Sequence, residues 1–242
     1  MQPSNKTVLI LGANSDVAKE AIKLYVKAGY KVIAASRSTD ELNTFVQQQN
    51  FSNDVTVLYF DAVAFDTHQQ FYDDLLDKPN IVLYAAGFLK DNEDAIHDWQ
   101  GCFQMMKVHY CGAVSILNLI VADTNNTQLE KIIGLSSLSG VRGRKSNFIY
   151  GSTKSAFTQY MAGLRQYLFL RNISVHVIVA GYIRSKMTAG LNLTESLMLE
   201  PFFIAKAIVP IPKRFIIVPG FKWKLIYFIL KILPEKLVAR LP

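Results

Sequence analysis

The chain has 242 residues, half of them hydrophobic, with only 13 glycines and 8 prolines, so it is long and apolar enough to bury one full core. Its formal net charge is +7, but the excess is local, because eight basic residues face two acidic ones from position 200 onward. No recognised nucleic-acid motif accompanies this cluster, which argues against nucleic-acid binding. Histidines, cysteines and carboxylates show no metal-ligand spacing, so we predict no metal site.

The start of the chain predicts a buried strand, a tight turn and the beginning of a helix. A run over residues 6–11, apolar from Val8 onward, is followed by five residues that we expect to surround a bound pyrophosphate: Gly12, Asn14, Ser15, Asp16 and Val17. Backbone N–H groups in such a turn and the N-terminus of the helix attract the pyrophosphate.

Short apolar strands alternate with helical patterns along the whole chain. Further strands are predicted over residues 30–36, 55–60, 80–87 and 174–180. This alternation is typical of βαβ units that share a parallel sheet. We therefore predict an α/β fold in which a Rossmann-like, doubly wound parallel sheet forms a three-layer α/β/α single domain over residues 1–242.

Three residues in the second half of the chain predict a proton-transfer site. Tyr150 and Lys154 are four positions apart, so on a helix they lie on the same face. The charge of Lys154 is expected to lower the phenol pKa, which is ordinarily about 10, towards neutral pH. Ser137 is expected to end the preceding strand and to orient a substrate oxygen against Tyr150. Such a site moves a proton on oxygen while a hydride moves on carbon.

The turn at Gly12, together with Ser137 and the Tyr150-x-x-x-Lys154 spacing, resembles the short-chain dehydrogenase/reductase family over most of the chain. The resemblance implies hydride transfer between nicotinamide C4 and a carbonyl carbon. Tyr150 would supply or accept the proton on oxygen. Lys154 would stabilise the phenolate and hold the nicotinamide ribose, and Ser137 would orient the oxygen.

The turn departs from the family's usual Thr-Gly-x-x-x-Gly-x-Gly pattern. Asp16 and Ala18 occupy the positions of the second and third glycines. A methyl group at Ala18 is a mild change, whereas a carboxylate at Asp16 would repel the pyrophosphate. We expect Asp16 to turn away and cap the helix that begins there.

The predicted cofactor is NADP(H), with NAD(H) as the alternative. Ser36 stands where many NAD-specific relatives have an acidic residue, and Arg37 follows it, a pair that accommodates a 2′-phosphate. The competing interpretation of Arg37 is a solvated residue at a strand end. The resemblance adds further cofactor contacts beside Tyr150 and Lys154, which are Asp61, Ala62, Ala85, Ala86, Gly87, Gly181, Ile183 and Ser185.

His109 stands where relatives have an asparagine whose backbone supports a proton-relay water. We include His109 among the catalytic candidates as a titrating relay member. The alternative is a packed histidine whose ring nitrogens are satisfied inside the helix.

The C-terminal part of the chain predicts an apolar substrate. Residues 186–212 correspond to a substrate lid and are rich in Leu, Met and Phe. Residues 221–242 form a basic, apolar tail, which either contacts a membrane as an interfacial helix or packs on the core or a dimer partner. Within the family, residues 183–191 and 218–223 are similar to reductases of polyprenyl-phosphate-linked keto-sugars. A small-molecule or lipid-linked carbonyl or alcohol is therefore the expected substrate.

Cys102 and Cys111 fall on opposite faces of one predicted helix, so they cannot pair. Because the two cysteines cannot pair and no signal peptide is recognised, we predict a cytoplasmic protein. It would be peripheral on the inner membrane face if the tail binds lipid. The resemblance implies a homodimer or homotetramer. A non-catalytic NADP(H)-binding regulatory protein is the alternative function, motivated by Asp16 and His109.

Overall fold

A computed structural model describes residues 6–209 and 214–240. The strands and helices follow one another as β1 (Thr7–Leu11), α1 (Asp16–Lys27), β2 (Lys31–Ser36), α2 (Thr39–Gln48), β3 (Val55–Tyr59), α3 (His68–Asp73), β4 (Ile81–Tyr84), α4 (Asn92–Ile96), α5 (Trp99–Met106), α6 (Gly112–Ala122), β5 (Lys131–Ser137), α7 (Phe148–Tyr167), β6 (Ser174–Ala180), α8 (Pro201–Ile208), β7 (Ile216–Ile217), α9 (Phe221–Ile232) and α10 (Glu235–Val238). A π-helical turn, Lys107–Cys111, joins α5 to α6.

The seven strands form one parallel sheet in the order β3-β2-β1-β4-β5-β6-β7. The strand order reverses between β1 and β4, because β2 and β3 follow on one side of β1 and the chain then crosses over to add β4 to β7 on the other side. A crevice opens at such a reversal, at the carboxyl ends of the strands. The predicted doubly wound α/β fold is confirmed.

Two apolar layers hold the helices on the sheet. Val8 and Ile10 of β1 belong to the layer under α1, α2 and α8, whereas Leu9 and Leu11 belong to the layer under α3, α6, α7 and α9. Successive side chains of a strand point to opposite faces, so a strand covered on both sides must be apolar throughout. All five residues of β1 are buried.

The helical stretch Trp99–Ala122 is long and apolar enough to cross a membrane, judged by length and composition alone. Half of its most apolar window is buried inside the protein, and Ile116, Leu117 and Ile120 are fully buried. This stretch therefore serves as a core helix, and its composition is weak evidence for a membrane span.

The segment predicted as a lid divides into two parts. Two short 3₁₀ turns, Lys186–Thr188 and Glu195–Leu197, precede α8. Helix α8 buries Ile204, Ala205 and Ile208 in the layer shared with α1. Because α8 belongs to the core, only the first part of the predicted lid is available to cover a site. The last residues of the predicted lid, 210–212, and residues 241–242 of the predicted tail lie outside the described residues.

Candidate active site

The crevice between β1 and β4 contains a cavity of about 640 Å³. All of the predicted catalytic and cofactor residues except His109 line it: Gly12, Asn14, Ser15, Asp16, Val17, Ser36, Arg37, Asp61, Ala62, Ala85, Ala86, Gly87, Ser137, Tyr150, Lys154, Gly181, Ile183 and Ser185. They come from the carboxyl ends of β1 to β6 and from the loops and helices that follow these strands, because parallel strands deliver their following segments to the same edge of the sheet.

Gly12 fits a turn that no other residue type could occupy without strain. Its φ is +86°, and a Cβ built on it would lie 2.4 Å from the backbone nitrogen of Ala86. The first turn therefore packs directly on the loop after β4. The N–H groups of Gly12 and Ala13 bond the Ala35 carbonyl of β2, and the turn leads into the N-terminus of α1, which lines the cavity, where a pyrophosphate would find helix N–H donors.

Asp16 does not act as the helix cap that we predicted. Ser15 is the N-cap residue of α1, and its hydroxyl accepts a hydrogen bond from the Ala18 N–H at 3.3 Å. Asp16 is the first helical residue, and its Oδ2 accepts from the backbone N–H of Lys186 at 2.7 Å. The Lys186 ammonium in turn contacts Glu41. The carboxylate thus ties the start of α1 to the start of the segment predicted as a lid.

The end of β2 presents the residues predicted to select NADP(H). Asn14 Nδ2 donates to Ser36 Oγ at 3.1 Å and to the Ser38 carbonyl at 2.7 Å. Arg37 is exposed at the cavity edge. Asp61, after β3, accepts a hydrogen bond from the Val63 N–H at 3.0 Å. The end of the cleft at β2 is therefore lined by the Ser36 hydroxyl, the Arg37 guanidinium and the Asp61 carboxylate.

Ser137, Tyr150 and Lys154 meet where β5 ends and α7 begins. Ser137 is the last residue of β5, and its hydroxyl accepts from the Ser139 N–H at 3.2 Å and lies close enough to the Tyr150 phenol to favour its ionised form. Lys154 Nζ donates to the Leu135 carbonyl at 3.1 Å and lies 5.8 Å from the centre of the Tyr150 ring. Gly151 lets the start of α7 pack closely on the turn after β5, since a Cβ at this position would lie 2.5 Å from the Ser139 carbonyl oxygen.

The charges of this site differ from the sequence-based expectation. Burial raises the pKa of Tyr150 to about 12, and the nearby Ser137 hydroxyl opposes this only in part. Burial also lowers the pKa of Lys154 to about 7. Desolvation penalises the charged form of each group, and this outweighs the expected effect of Lys154 on the phenol. At neutral pH Tyr150 therefore retains its proton. Lys154 is then close to its pKa, so both its charged and its neutral form are present.

His109 lies in the π-helical turn, outside the cavity lining, and both of its ring nitrogens are paired. Nε2 accepts from the Phe88 N–H at 3.0 Å, and Nδ1 lies 2.7 Å from Thr153 Oγ1. The Thr153 hydroxyl donates to the Tyr150 carbonyl at 2.8 Å, so Nδ1 carries the proton. Burial and the nearby Lys154 hold the His109 pKa well below its usual range. The geometry favours the packed interpretation over the relay.

Sequence reasoning missed the polar end of the cavity. Asn147 and Ser139 line the cavity near Tyr150, and Asn147 Nδ2 donates to Ser139 Oγ at 2.9 Å. Among the described residues, Asn147 Oδ1 is buried without a hydrogen-bond partner. Its only sequence signal was its place just before the predicted helix, where Asn is common as a cap.

The comparisons with known proteins agree with this geometry. The family model of the short chain dehydrogenases matches residues 6–196. An uncharacterised oxidoreductase of Staphylococcus haemolyticus is 26% identical over 212 residues, which cover 85% of this chain and 90% of the relative. An uncharacterised oxidoreductase of Mycobacterium tuberculosis is 24% identical over 245 residues, 97% of this chain and 96% of the relative.

Among solved structures, a short chain dehydrogenase of Burkholderia cenocepacia in complex with NADP superimposes with a TM-score of 0.82 at 16% identity. The superposition covers 98% of this chain and 97% of that one, and it supports the fold. With the family model spanning most of the sequence, this chain belongs to the short-chain dehydrogenase/reductase family of NAD(P)-dependent oxidoreductases.

Proposed function

We propose that the protein is an NADP(H)-dependent carbonyl reductase or alcohol dehydrogenase acting on a ketone or alcohol with a large apolar part. The observation that carries the proposal is the convergence of Ser137, Tyr150 and Lys154 on one cavity that also contains the glycine turn at Gly12. A proton-transfer group and a nucleotide-binding turn in one cleft are what nicotinamide chemistry requires.

The residues of the cleft fit the cofactor. The N–H groups of Gly12 and Ala13 bond the Ala35 carbonyl, so the donors that remain for a pyrophosphate are those of the N-terminus of α1. Asn14 Oδ1 is buried without a partner among the described residues, which leaves a polar atom free for a ligand. When bound, the nicotinamide gives a hydride to carbon or takes one from it. Tyr150 donates its proton to the carbonyl oxygen as an alcohol forms, Ser137 orients that oxygen, and Lys154 stabilises the phenolate that remains.

The preference for NADP(H) over NAD(H) rests on Ser36 and Arg37. An acidic residue at position 36 would repel a 2′-phosphate, whereas a hydroxyl and a guanidinium bind one. The Burkholderia structure contains NADP. In a steady-state assay with both cofactors, we expect Ser36→Asp to reverse the preference and Arg37→Ala to weaken NADPH binding. An unchanged ratio of kcat/KM for the two cofactors would refute this assignment.

The substrate end of the cavity supports an amphiphilic substrate. Met187, Leu191 and Leu193 of the predicted lid contribute apolar side chains to its lining, and Ser139 and Asn147 contribute polar atoms. The unpaired Asn147 Oδ1 matches a hydroxyl donor on the substrate, as a hydroxylated ketone would carry. A lipid-linked keto-sugar combines these two parts, which supports the polyprenyl-phosphate-linked substrates expected from the sequence.

The decisive variant is Tyr150→Phe, which removes the hydroxyl and keeps the ring. We expect it to bind NADPH as well as the wild type, measured by quenching of tryptophan fluorescence, and to lose roughly 10²- to 10⁴-fold in turnover. Tyr160→Phe is the matched control, because Tyr160 is on the same helix and its hydroxyl bonds Asn118 outside the cavity.

Turnover is followed as NADPH oxidation against a carbonyl panel that includes lipid-linked keto-sugars. Unchanged turnover in Tyr150→Phe would contradict the proposed mechanism. NADPH binding without oxidation by any carbonyl would favour the non-catalytic alternative. The contacts of His109 weaken one ground for that alternative, because both ring nitrogens are paired within the protein. The Asp16 carboxylate is engaged by the Lys186 N–H but still lines the cavity.

We further propose a cytoplasmic homodimer or homotetramer. Both cysteines are free, with Cys102 buried and Cys111 half-buried, in keeping with a reducing compartment. Trp99, Phe103 and Tyr110 are exposed along the α5–α6 side, where an apolar contact between copies would bury them. Light scattering on the purified protein measures the assembly, and a monomer would refute this part of the proposal.

A further inference from the structure

Helix α9 is held on the protein by one of its faces. Trp223 and Leu230 are 4% and 5% exposed, and both belong to the core layer. The Trp223 indole donates to the Leu197 carbonyl at 2.8 Å, and its ring packs on Tyr182 with 5.0 Å between ring centres. After the helix, Arg142 donates to the Leu233 carbonyl at 2.8 Å. These contacts fix the orientation of the helix.

The opposite side of α9 is an exposed apolar stripe. It consists of Phe221, Leu225, Phe228, Ile229 and Ile232, whose side chains are 82%, 53%, 59%, 41% and 63% exposed. Their spacing follows the helical repeat, so they form one continuous surface, which we call the α9 face. Scattered exposed apolar residues are normal, but a contiguous set of this kind marks an interaction site.

The charges around the α9 face are basic. Lys222, Lys224 and Lys231 are exposed on the same helix, which contains no acidic residue. Glu235, just beyond it, is already paired with Arg142 at 2.9 Å. An apolar stripe bordered by lysines complements an anionic lipid surface, because the rings enter the headgroup boundary while the ammonium groups meet lipid phosphates. In a two-fold pairing with a second copy, these lysines would instead be brought together.

We propose that the α9 face binds the surface of an anionic lipid bilayer. The contact is peripheral, since a helix of 12 residues is too short to span a membrane. It also lies beside the lid, because Lys222 donates to the Ser196 carbonyl and Trp223 to the Leu197 carbonyl. Bilayer contact therefore brings the lid segment close to the lipid, where an amphiphilic substrate resides. The lipid contact itself does not depend on the reductase activity.

The test is flotation of the full-length protein with vesicles. We expect the protein to float with vesicles of equal parts phosphatidylcholine and phosphatidylglycerol, to stay in solution with pure phosphatidylcholine, and to be released by salt. Phe228→Ser/Ile232→Ser should lower the bound fraction about ten-fold or more, because two side chains that enter the bilayer are lost. Lys224→Gln/Lys231→Gln should remove the preference for anionic lipid.

The matched control is Phe169→Ser/Leu170→Ser, since these side chains are 75% and 90% exposed at the end of α7 and lie outside the α9 face. It should float as the wild type does. The proposal fails if the wild type does not float or if the control loses as much binding. It also fails if Phe228→Ser/Ile232→Ser converts an oligomer into a smaller species while the wild type ignores vesicles, since the occupant is then a second copy.

NADPH oxidation with a water-soluble ketone separates the two proposals. The variants of the α9 face should keep this activity, because none of the changed residues lines the cavity. A protein that floats but reduces no carbonyl would refute the proposed function alone, and an active protein that does not float would refute the lipid contact alone.

Discussion

Replacing Gly181 with alanine is expected to disrupt the packing of helix α9 on the loop after β6, which lines the active site. Gly181 follows β6 and lines the cavity, and a Cβ built on it would lie 2.1 Å from two atoms of the Trp223 ring. Carbon atoms in contact are ordinarily about 3.5–4.0 Å apart. The indole must therefore retreat by more than about 1 Å, although it is buried and hydrogen-bonded to the Leu197 carbonyl.

The free energy of unfolding should fall by about 2–4 kcal/mol in Gly181→Ala. Overpacking a core typically costs about 1–3 kcal/mol. Losing the indole hydrogen bond leaves a polar group unpaired, which costs about 1–3 kcal/mol when it stays buried. Because α9 is exposed on one flank, it can shift to relieve part of the clash, and this shift reduces the sum of the two costs. For a chain of this size the loss corresponds to a fall in Tm of roughly 4–16 °C.

Urea unfolding and thermal melting measure this loss, and a double-mutant cycle assigns it. In a Trp223→Ala background the added methyl group meets no ring, so Gly181→Ala should then cost much less than in the wild type. Gly143→Ala is the control, because nothing lies within 4 Å of a Cβ built there, and its effect should stay within about 0.5 kcal/mol. An equal cost of Gly181→Ala in both backgrounds would refute the reasoning.

Three further predictions concern the charges and links of the site. Burial lowers the pKa of Lys154 to about 7. Between about pH 7 and about pH 10 the Lys154 side chain is therefore protonated in the unfolded chain and neutral in the folded one. The free energy of unfolding should rise with pH over this window by up to about 1.4 kcal/mol per pH unit. Lys154→Met should lose this part of the slope in urea titrations of the cofactor-free protein, and identical slopes would contradict the assigned burial. Thr153→Val leaves His109 Nδ1–H unpaired and should cost about 1–3 kcal/mol in urea unfolding, whereas a neutral effect would mean that this link is dispensable. Asp16→Asn keeps an acceptor for the Lys186 N–H but removes a negative charge beside the expected pyrophosphate position. The Kd for NADPH, measured by fluorescence titration, should therefore fall about two- to five-fold. Weaker NADPH binding would show that the charged hydrogen bond to Lys186 matters more than the repulsion.

Much of the fold followed from local patterns. The apolar runs of β1, β2 and β4 predicted buried parallel strands, because a strand covered on both faces has no polar side. The four-residue spacing of Tyr150 and Lys154 predicted a shared helix face, and α7 begins at Phe148 as that spacing requires. The tail that the sequence analysis placed from residue 221 onward begins with helix α9, Phe221–Ile232.

Contacts between distant parts of the chain could not be foreseen in the same way. Asp16 looked like a helix cap by residue type, but its carboxylate bonds a backbone group 170 positions away, and Ser15 supplies the cap. His109 had two open interpretations until Phe88 and Thr153 were placed on its two nitrogens. The long lid prediction failed to show that α8 belongs to the core layer with α1.

The sequence by itself determined the doubly wound sheet, the nucleotide turn at Gly12 and the pairing of a phenol with an ammonium on one helix, because each depends on residue type and on spacing along a few turns or strands. The tertiary structure alone decided the protonation of that pair, since the depth of burial outweighs the attraction between neighbours. It also decided which side of α9 packs through Trp223 and which side is left exposed, because that division depends on what lies against the helix.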